Sequence, residues 1–322
     1  MTSTIRRSLL GATALLAALA LAGCSTASTP EKSGEAASTI TVKAANGSIE
    51  VPVNPQKVVA LDNTSFETLR DWGITPVAVP KPLLPKKGYE EWINNKDIVD
   101  IGNHREPDLE ALSAVDADLV IGGYRFGEYT EKITEMGIAP VIDISADQDA
   151  AGGWTGSLKT QTTTLGEIFD KKDKAAETVK TFEAAEKKAG DATSGESVFL
   201  GVVSGGKLDN GAKRIGHLLE PLNLKDVFAG EGGDVHGDSG LAPETIAQAN
   251  PDWVIVMDRD AAVGGKDVSP AKQIIDAQEA FANTTFAQKG HVIYLDPFFY
   301  TREGIQSYTE AFDQIAEAFT KG

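Results

Sequence analysis

The chain of 322 residues carries 30 Lys+Arg against 47 Asp+Glu, one Cys, and 41% hydrophobic residues. That length accommodates about two domains with cores of their own, and a single Cys excludes a disulfide framework, a Cys-based zinc cluster and a dithiol redox pair. A formal charge of −17, with no basic tail to offset it, argues against nucleic acid as a partner.

The first element in chain order is a leader. Arg6-Arg7 precede an apolar run from Leu9 to Ala22, and Leu21-Ala22-Gly23-Cys24 closes it. A basic start, a short apolar stretch and small residues before a cleavage point describe a secretory signal over residues 1–23. The run is shorter than the ~20 residues that span a bilayer. Leu-Ala-Gly-Cys has the form of a bacterial lipobox, so the sole Cys is expected to become the lipidated first residue after cleavage. Arg6-Arg7 also permits twin-arginine export. Loss of the leader leaves 28 basic against 47 acidic side chains, a charge of −19. Residues 24–38 are polar and poor in bulky apolar groups, which predicts a flexible tether. The expected location is the outer face of the cytoplasmic membrane, held there by lipid on Cys24.

Ile40–Lys43 and Ser48–Pro52 flank Asn46-Gly47 and predict a β-hairpin. Short strands and helices then alternate: strands at 58–61, 77–79, 119–121 and 141–144, helices at 65–72, 109–115 and 129–136. This alternation predicts an N-terminal α/β lobe over 39–157 with a mainly parallel sheet. Residues 158–192 lack Pro, are rich in Ala, Glu and Lys, and predict one connecting helix, with a continuous stretch of about 25 residues spanning roughly 38 Å. A second α/β lobe follows over 193–322, with strands at 197–203, 253–257 and 292–295 and helices at 215–222, 243–249 and 305–320. The expected fold class is therefore α/β, two Rossmann-like lobes joined by one long helix, with a ligand cleft between them.

The two halves share a local pattern. Glu110 to Asp118 and Glu244 to Asp252 are both eight residues apart, each Asp opens a strand, and Arg125 and Arg259 each follow seven residues later. Ligands of open α/β sheets bind beyond the carboxyl ends of the strands, so facing lobes direct both arginines into one cleft. Arg214, in Gly211-Ala-Lys-Arg214-Ile-Gly216, is a third candidate. Three such arginines on so acidic a chain point to a local anion site. A guanidinium ~4 Å from a ligand charge gains about 4 kcal/mol at an effective dielectric of ~20, before desolvation. Tyr124, beside Arg125, and Lys81 are further candidate ligand contacts.

The four histidines, His104, His217, His236 and His291, show no zinc-enzyme spacing. His236 lies in a Gly-rich stretch able to reach over a cleft, and Tyr300 follows the strand at 292–295. Imidazole nitrogen and phenolate oxygen suit ferric iron, although a loop or packing role is the default for either residue alone. Nucleophile-elbow and phosphate-loop motifs are missing, which disfavours an extracellular α/β enzyme.

Together, the lipobox, the paired lobes and the connector resemble the substrate-binding lipoproteins of ABC importers for iron-siderophores, cobalamin and haem. Val79-Pro-Lys81-Pro-Leu-Leu84-Pro85, Gly102-Asn-His-Arg-Glu106-Pro-Asp108, Asp258-Arg259-Asp-Ala-Ala-Val-Gly-Gly265 and Tyr294-Leu-Asp-Pro297 are similar to the catecholate-siderophore branch. The resemblance implies a non-enzymatic monomer with no intrinsic cofactor, which captures a ferric catecholate siderophore and delivers it to an ABC permease. It implies that Arg125, Arg214 and Arg259 bind catecholate oxygens, that His236 and Tyr300 complete the iron shell, and that Glu110 and Glu244 dock on the permease. Phe-Phe-Tyr300 stands where a Trp-Tyr run is usual. For Glu110 and Glu244 a helix-start role favoured by the dipole stands beside docking. A haem receptor or ferric hydroxamate receptor of the same fold remains open.

Overall fold

The computed structural model describes residues 38–322 apart from 234–238 and 265–266. The leader, Cys24, all but the last residue of the expected tether and His236 lie outside the described residues. No helix among the described residues is long and apolar enough to cross a membrane.

A hairpin of β1 (Thr39–Ala44) and β2 (Gly47–Pro52) opens the body. Gly47 takes φ +117 beside the two-residue turn Ala45-Asn46, which favours the residue without a Cβ. Asn46 then pins the hairpin to the N-terminal sheet, donating to the Val141 carbonyl at 3.0 Å and accepting from Asp143 N at 2.9 Å.

That sheet comprises β3 (Val58–Ala60), β4 (Ala78–Val79), β5 (Val99–Asp100), β8 (Leu119–Gly122) and β9 (Val141–Asp143), ordered β5-β4-β3-β8-β9 and parallel throughout. A small ribbon, β6 (Gly102–Asn103) with β7 (Glu106–Pro107), stands after β5. Helices α1 (Phe66–Asp71), α2 (Glu90–Asn94), α3 (Leu109–Ser113) and α4 (Thr130–Glu135) complete the lobe. Both faces of the sheet are covered, so its strands are apolar without alternation: Val58, Val59 and Ala60 are all buried.

The connector departs from the single helix expected. It is two helices, α5 (Gly153–Ile168) and α6 (Lys172–Ala192), and α5 begins inside the stretch assigned to the N-terminal lobe. Asp170 adopts φ +53 and breaks the helical path, and Asn54 N caps the freed Ile168 carbonyl at 2.6 Å. Gly166 lets α6 fold back closely, since a Cβ there would lie 2.5 Å from that of Ala175. Trp154 and Leu158 of α5 pack in the C-terminal core, whereas Leu165 and Ile168 of the same helix pack in the N-terminal core. Phe182, Ala185 and Ala189 of α6 return to the C-terminal core. The chain thus crosses between lobes twice, over roughly 24 Å and 32 Å at 1.5 Å per residue.

The second sheet comprises β10 (Ser197–Ser204), β11 (Lys207–Asn210), β12 (Lys225–Asp226), β13 (Trp253–Asp258) and β14 (Val292–Tyr294). Its order is β11-β10-β13-β14, with β12 also on β10 and only β11 antiparallel. Helices α7 (Ala212–Ile215), α8 (Pro243–Ala249), α9 (Arg259–Val263), α10 (Ala271–Asp276) and α11 (Thr285–Lys289) surround it. The helix expected over 215–222 is instead α7 followed by a 3-10 turn at Gly216–Leu219. After the short α12 (Phe299–Arg302), α13 (Ile305–Lys321) closes the chain, with Phe312 packed on Phe182 of α6 at 5.7 Å between ring centroids.

The repeated aspartates serve the sheets. Asp118 accepts from the backbone N–H of Gln56 and Lys57 ahead of β3, and Asp252 accepts from the N–H and hydroxyl of Ser197 at the start of β10.

Candidate ligand-binding site

Arg125 and Arg259 leave equivalent strands by different routes. After β8 the chain turns at Gly123, whose φ is +117 and whose missing Cβ would lie 2.5 Å from Asp143 Oδ1. Tyr124 follows at φ +44, its N–H donating to Ser145 Oγ at 2.6 Å, and Arg125 is thereby aimed toward the opposite lobe. Arg259 instead begins α9 directly after β13, where the Asp258 side chain caps the helix by accepting from Ala261 N at 2.9 Å. Arg214 lies on α7, beyond the β10–β11 hairpin.

The three guanidinium groups converge on one ring. The guanidinium carbons of Arg125, Arg214 and Arg259 lie 4.6, 4.7 and 5.4 Å from the Tyr300 ring centroid, within cation–π range. Arg125 Nη1 donates to the Tyr300 hydroxyl at 3.4 Å, and Arg125 Nη2 to its carbonyl at 2.7 Å. Tyr300, expected on a loop, is buried within α12. Burial pushes its phenol up, but the charges and hydrogen bonds of Arg125, Arg214 and Arg259 outweigh burial and hold it below the ordinary tyrosine value.

A carboxylate absent from the sequence reading sits behind this ring. Glu303 Oε2 lies 2.9 Å from Arg125 Nη2, and Glu303 Oε1 forms an ion pair with Arg214 Nε at 2.7 Å. The Tyr124 hydroxyl donates to the same carboxylate at 3.2 Å, and Asn63 Nδ2 approaches it at 3.4 Å. Asn63 also accepts from Arg125 Nε at 3.1 Å. Neighbouring Asp62 is fully buried and accepts from Thr64 N and Oγ1. Burial, outweighing those hydrogen bonds and aided by the nearby Asp143 and Glu303 carboxylates, pushes its carboxyl up to about 7. No spacing or motif marks Asp62, Asn63 or Glu303; the one local cue is Glu303-Gly304, polar and small ahead of an amphipathic helix.

In front of the ring lies a cavity of about 550 Å³ between the lobes. Lys81, Lys86, Arg105, Arg125 and Arg259 line it together with Tyr300, and among the described residues no carboxylate does. Leu83, Leu84, Ile93 and Val263 supply apolar wall. Lys86 Nζ approaches the Gly264 carbonyl across the opening at 3.4 Å, and Lys81 Nζ donates to the Asn95 carbonyl at 2.7 Å. Arg105, quoted in a motif above but given no role, is therefore a wall residue. Arg214 and Tyr124 are not on the wall: both lie under Tyr300, against Glu303. A larger concavity of about 760 Å³ beside α10, α11 and β14 carries Lys272, Asp276 and Glu279 and lacks convergent cations. Glu110 and Glu244 are exposed in the first turns of α3 and α8. Among the described residues no group of three or more His, Cys, Asp or Glu is placed to hold a metal ion.

Residues 58–298 match the model of a family described as periplasmic binding protein. Petrobactin-binding protein YclQ of Bacillus subtilis is 29% identical over 321 residues, covering 96% of this chain and 97% of that protein. Its crystal structure superposes with a TM-score of 0.74 over 88% of this chain and all of that one. Ferric-anguibactin-binding protein FatB of Vibrio anguillarum is 26% identical over 85% of each chain. The periplasmic catecholate-siderophore-binding protein VctP of Vibrio cholerae shares the fold, with a TM-score of 0.74 at 22% identity over 86% of this chain and 99% of that one.

Proposed function

The chain belongs to the periplasmic binding protein family, and from that premise we propose that it captures a ferric catecholate-type siderophore in the inter-lobe cleft and hands it to an ABC permease. The observation that carries this reading is the cleft itself, lined among the described residues by five cationic side chains and no carboxylate in a chain of charge −17. A ferric catecholate is an anion with planar aromatic faces. Guanidinium groups match both features, because they donate charge-assisted hydrogen bonds to catecholate oxygens and stack on rings. Leu83, Leu84 and Val263 cover the apolar edges.

Arg125 and Arg259 approach the ligand from opposite lobes, and Arg214 reinforces the positive field from behind Tyr300. The Tyr300 phenol, already eased toward ionisation, is the protein's oxygen donor to iron where the ligand leaves a coordination position open, with His236 as its partner. Lipid on Cys24 keeps the receptor at the outer face of the membrane, and exposed Glu110 and Glu244, one on each lobe, meet the permease. The chain itself catalyses no reaction.

Trp154 packs edge-on against Tyr124 at 5.8 Å between centroids, so intrinsic fluorescence reports on the site. Parallel titration with ferric bis- and tris-catecholates, a ferric hydroxamate and haemin tests the reading. Catecholates are expected to quench at submicromolar concentration, on the order of −8 kcal/mol or better. Quenching by haemin or the hydroxamate alone would overturn it.

A further inference from the structure

We propose that Glu303 is a specificity-determining residue of the cleft, whose fixed charge penalises ferric complexes in proportion to their own negative charge. This rests on the siderophore reading above and adds which member of that ligand class the cleft favours. Two of the three guanidinium groups around Tyr300 are engaged from behind by one carboxylate: Arg125 Nη2 at 2.9 Å and Arg214 Nε at 2.7 Å. Arg259 has no such carboxylate behind it; it meets Ser204 Oγ at 3.4 Å and Asp260 Oδ1 at 3.8 Å and hydrogen-bonds the Tyr300 phenol. A ligand entering the cavity therefore meets a positive field that this one carboxylate reduces.

The carboxylate is a permanent part of that field. Its side chain is 3% exposed, so water and salt screen it weakly. Its backbone is fixed as well. Glu303 ends α12 at φ +53, and the following Gly304 is so close to Thr64 that a Cβ would lie 2.2 Å from the Thr64 carbonyl oxygen.

Ferric iron held by two catecholates with neutral linkers has a formal charge of minus one, and by three, minus three. Repulsion from a fixed negative charge scales with the charge of the ligand, so Glu303 weighs about three times as heavily on the tris complex. The wild type is accordingly expected to favour the tris-catecholate less than a variant that lacks this charge.

The test is fluorescence titration of wild type, Glu303→Gln and Glu303→Asp with both complexes. Glu303→Gln should shift the ratio of the two dissociation constants toward the tris complex by about tenfold or more. Glu303→Asp, which keeps the charge, should leave the ratio nearer to wild type than Glu303→Gln does. Equal change toward both complexes in Glu303→Gln, or an equal shift of the ratio in Glu303→Asp, would show a packing role and overturn the proposal. Should Glu303→Gln not fold, Glu303→Met, which also removes the charge, takes its place: the same shift of the ratio toward the tris complex is expected, and an unchanged ratio overturns the proposal. Binding of neither complex by the wild type overturns the siderophore reading and this inference with it, a pattern distinct from binding of both with an unchanged ratio.

Discussion

Arg125 and Arg259 occupy the same place in two repeats, yet they do different work. Arg125 is 9% exposed in its side chain and spends its donors on Asn63, the Tyr300 carbonyl and Glu303. Arg259, at 23%, reaches Ser204 and Asp260 at 3.4 and 3.8 Å, hydrogen-bonds the Tyr300 phenol and faces the cavity. The difference begins in the turn after the strand: Gly123 and Tyr124, both at positive φ, carry Arg125 into contact with the other lobe, whereas α9 starts at once after β13 and leaves Arg259 on the wall. A repeated sequence position therefore yields one residue that joins the lobes and one that is held ready for ligand.

Alanine at each position separates the two roles most sharply. Arg125→Ala strands the Glu303 carboxylate with one fewer cation in a buried site, a loss expected to cost about 3–5 kcal/mol. Its melting temperature should fall by roughly 6 °C or more, together with at least tenfold weaker ligand binding. Arg259→Ala should weaken binding by about tenfold or more while moving the melting temperature by no more than ~1 °C. Similar thermal losses in both variants, measured by differential scanning calorimetry, would erase the distinction.

The support behind Arg125 also titrates. The Asp62 carboxyl is raised from 3.8 to about 7 in the folded chain. The folded state thus holds this proton more tightly than the unfolded state, so the group's contribution to stability is full at low pH and is lost as pH rises through about 4 to about 7. Asp62→Asn, which removes the buried charge, should raise the melting temperature at pH 8 by about 2 °C or more, with the gain vanishing near pH 4. A gain independent of pH would assign the effect to packing.

The smallest effect is spectroscopic. Ultraviolet titration should show one tyrosine ionising below the ordinary value, absent in Tyr300→Phe. Its midpoint should rise more in Arg125→Ala than in Arg259→Ala, since the charge and hydrogen bond of Arg125 weigh more on the phenol than the hydrogen bond of Arg259. Equal shifts would mean that the two arginines act on the ring alike.

Much of the fold was legible because its strands are continuous apolar runs between short amphipathic helices; Val58–Ala60, Leu119–Gly122 and Trp253–Asp258 lie where periodicity predicts them. The break in the connector was not, because Phe169-Asp170-Lys171 holds neither Pro nor Gly and the turn depends on a cap from distant Asn54. The arginines were visible as a spacing repeated between two lobes. Glu303 and Asn63 were not, because their partners are 178 and 62 residues away from them in the chain and no local pattern encodes such a distance. Arg105 was visible in a motif, but its place on the wall depends on the short ribbon that carries it.

The doubled crossing of α5 and α6 bears on how the chain acquires its structure. Since α5 contributes Trp154 and Leu158 to one core and Leu165 and Ile168 to the other, neither core closes until the same helix is in place. Folding of the two lobes is thereby coupled through shared side chains, and residues 37–322 form one compact unit. A lobe expressed alone would lose half of its helical staple, and the intact body should lose both cores in a single cooperative transition.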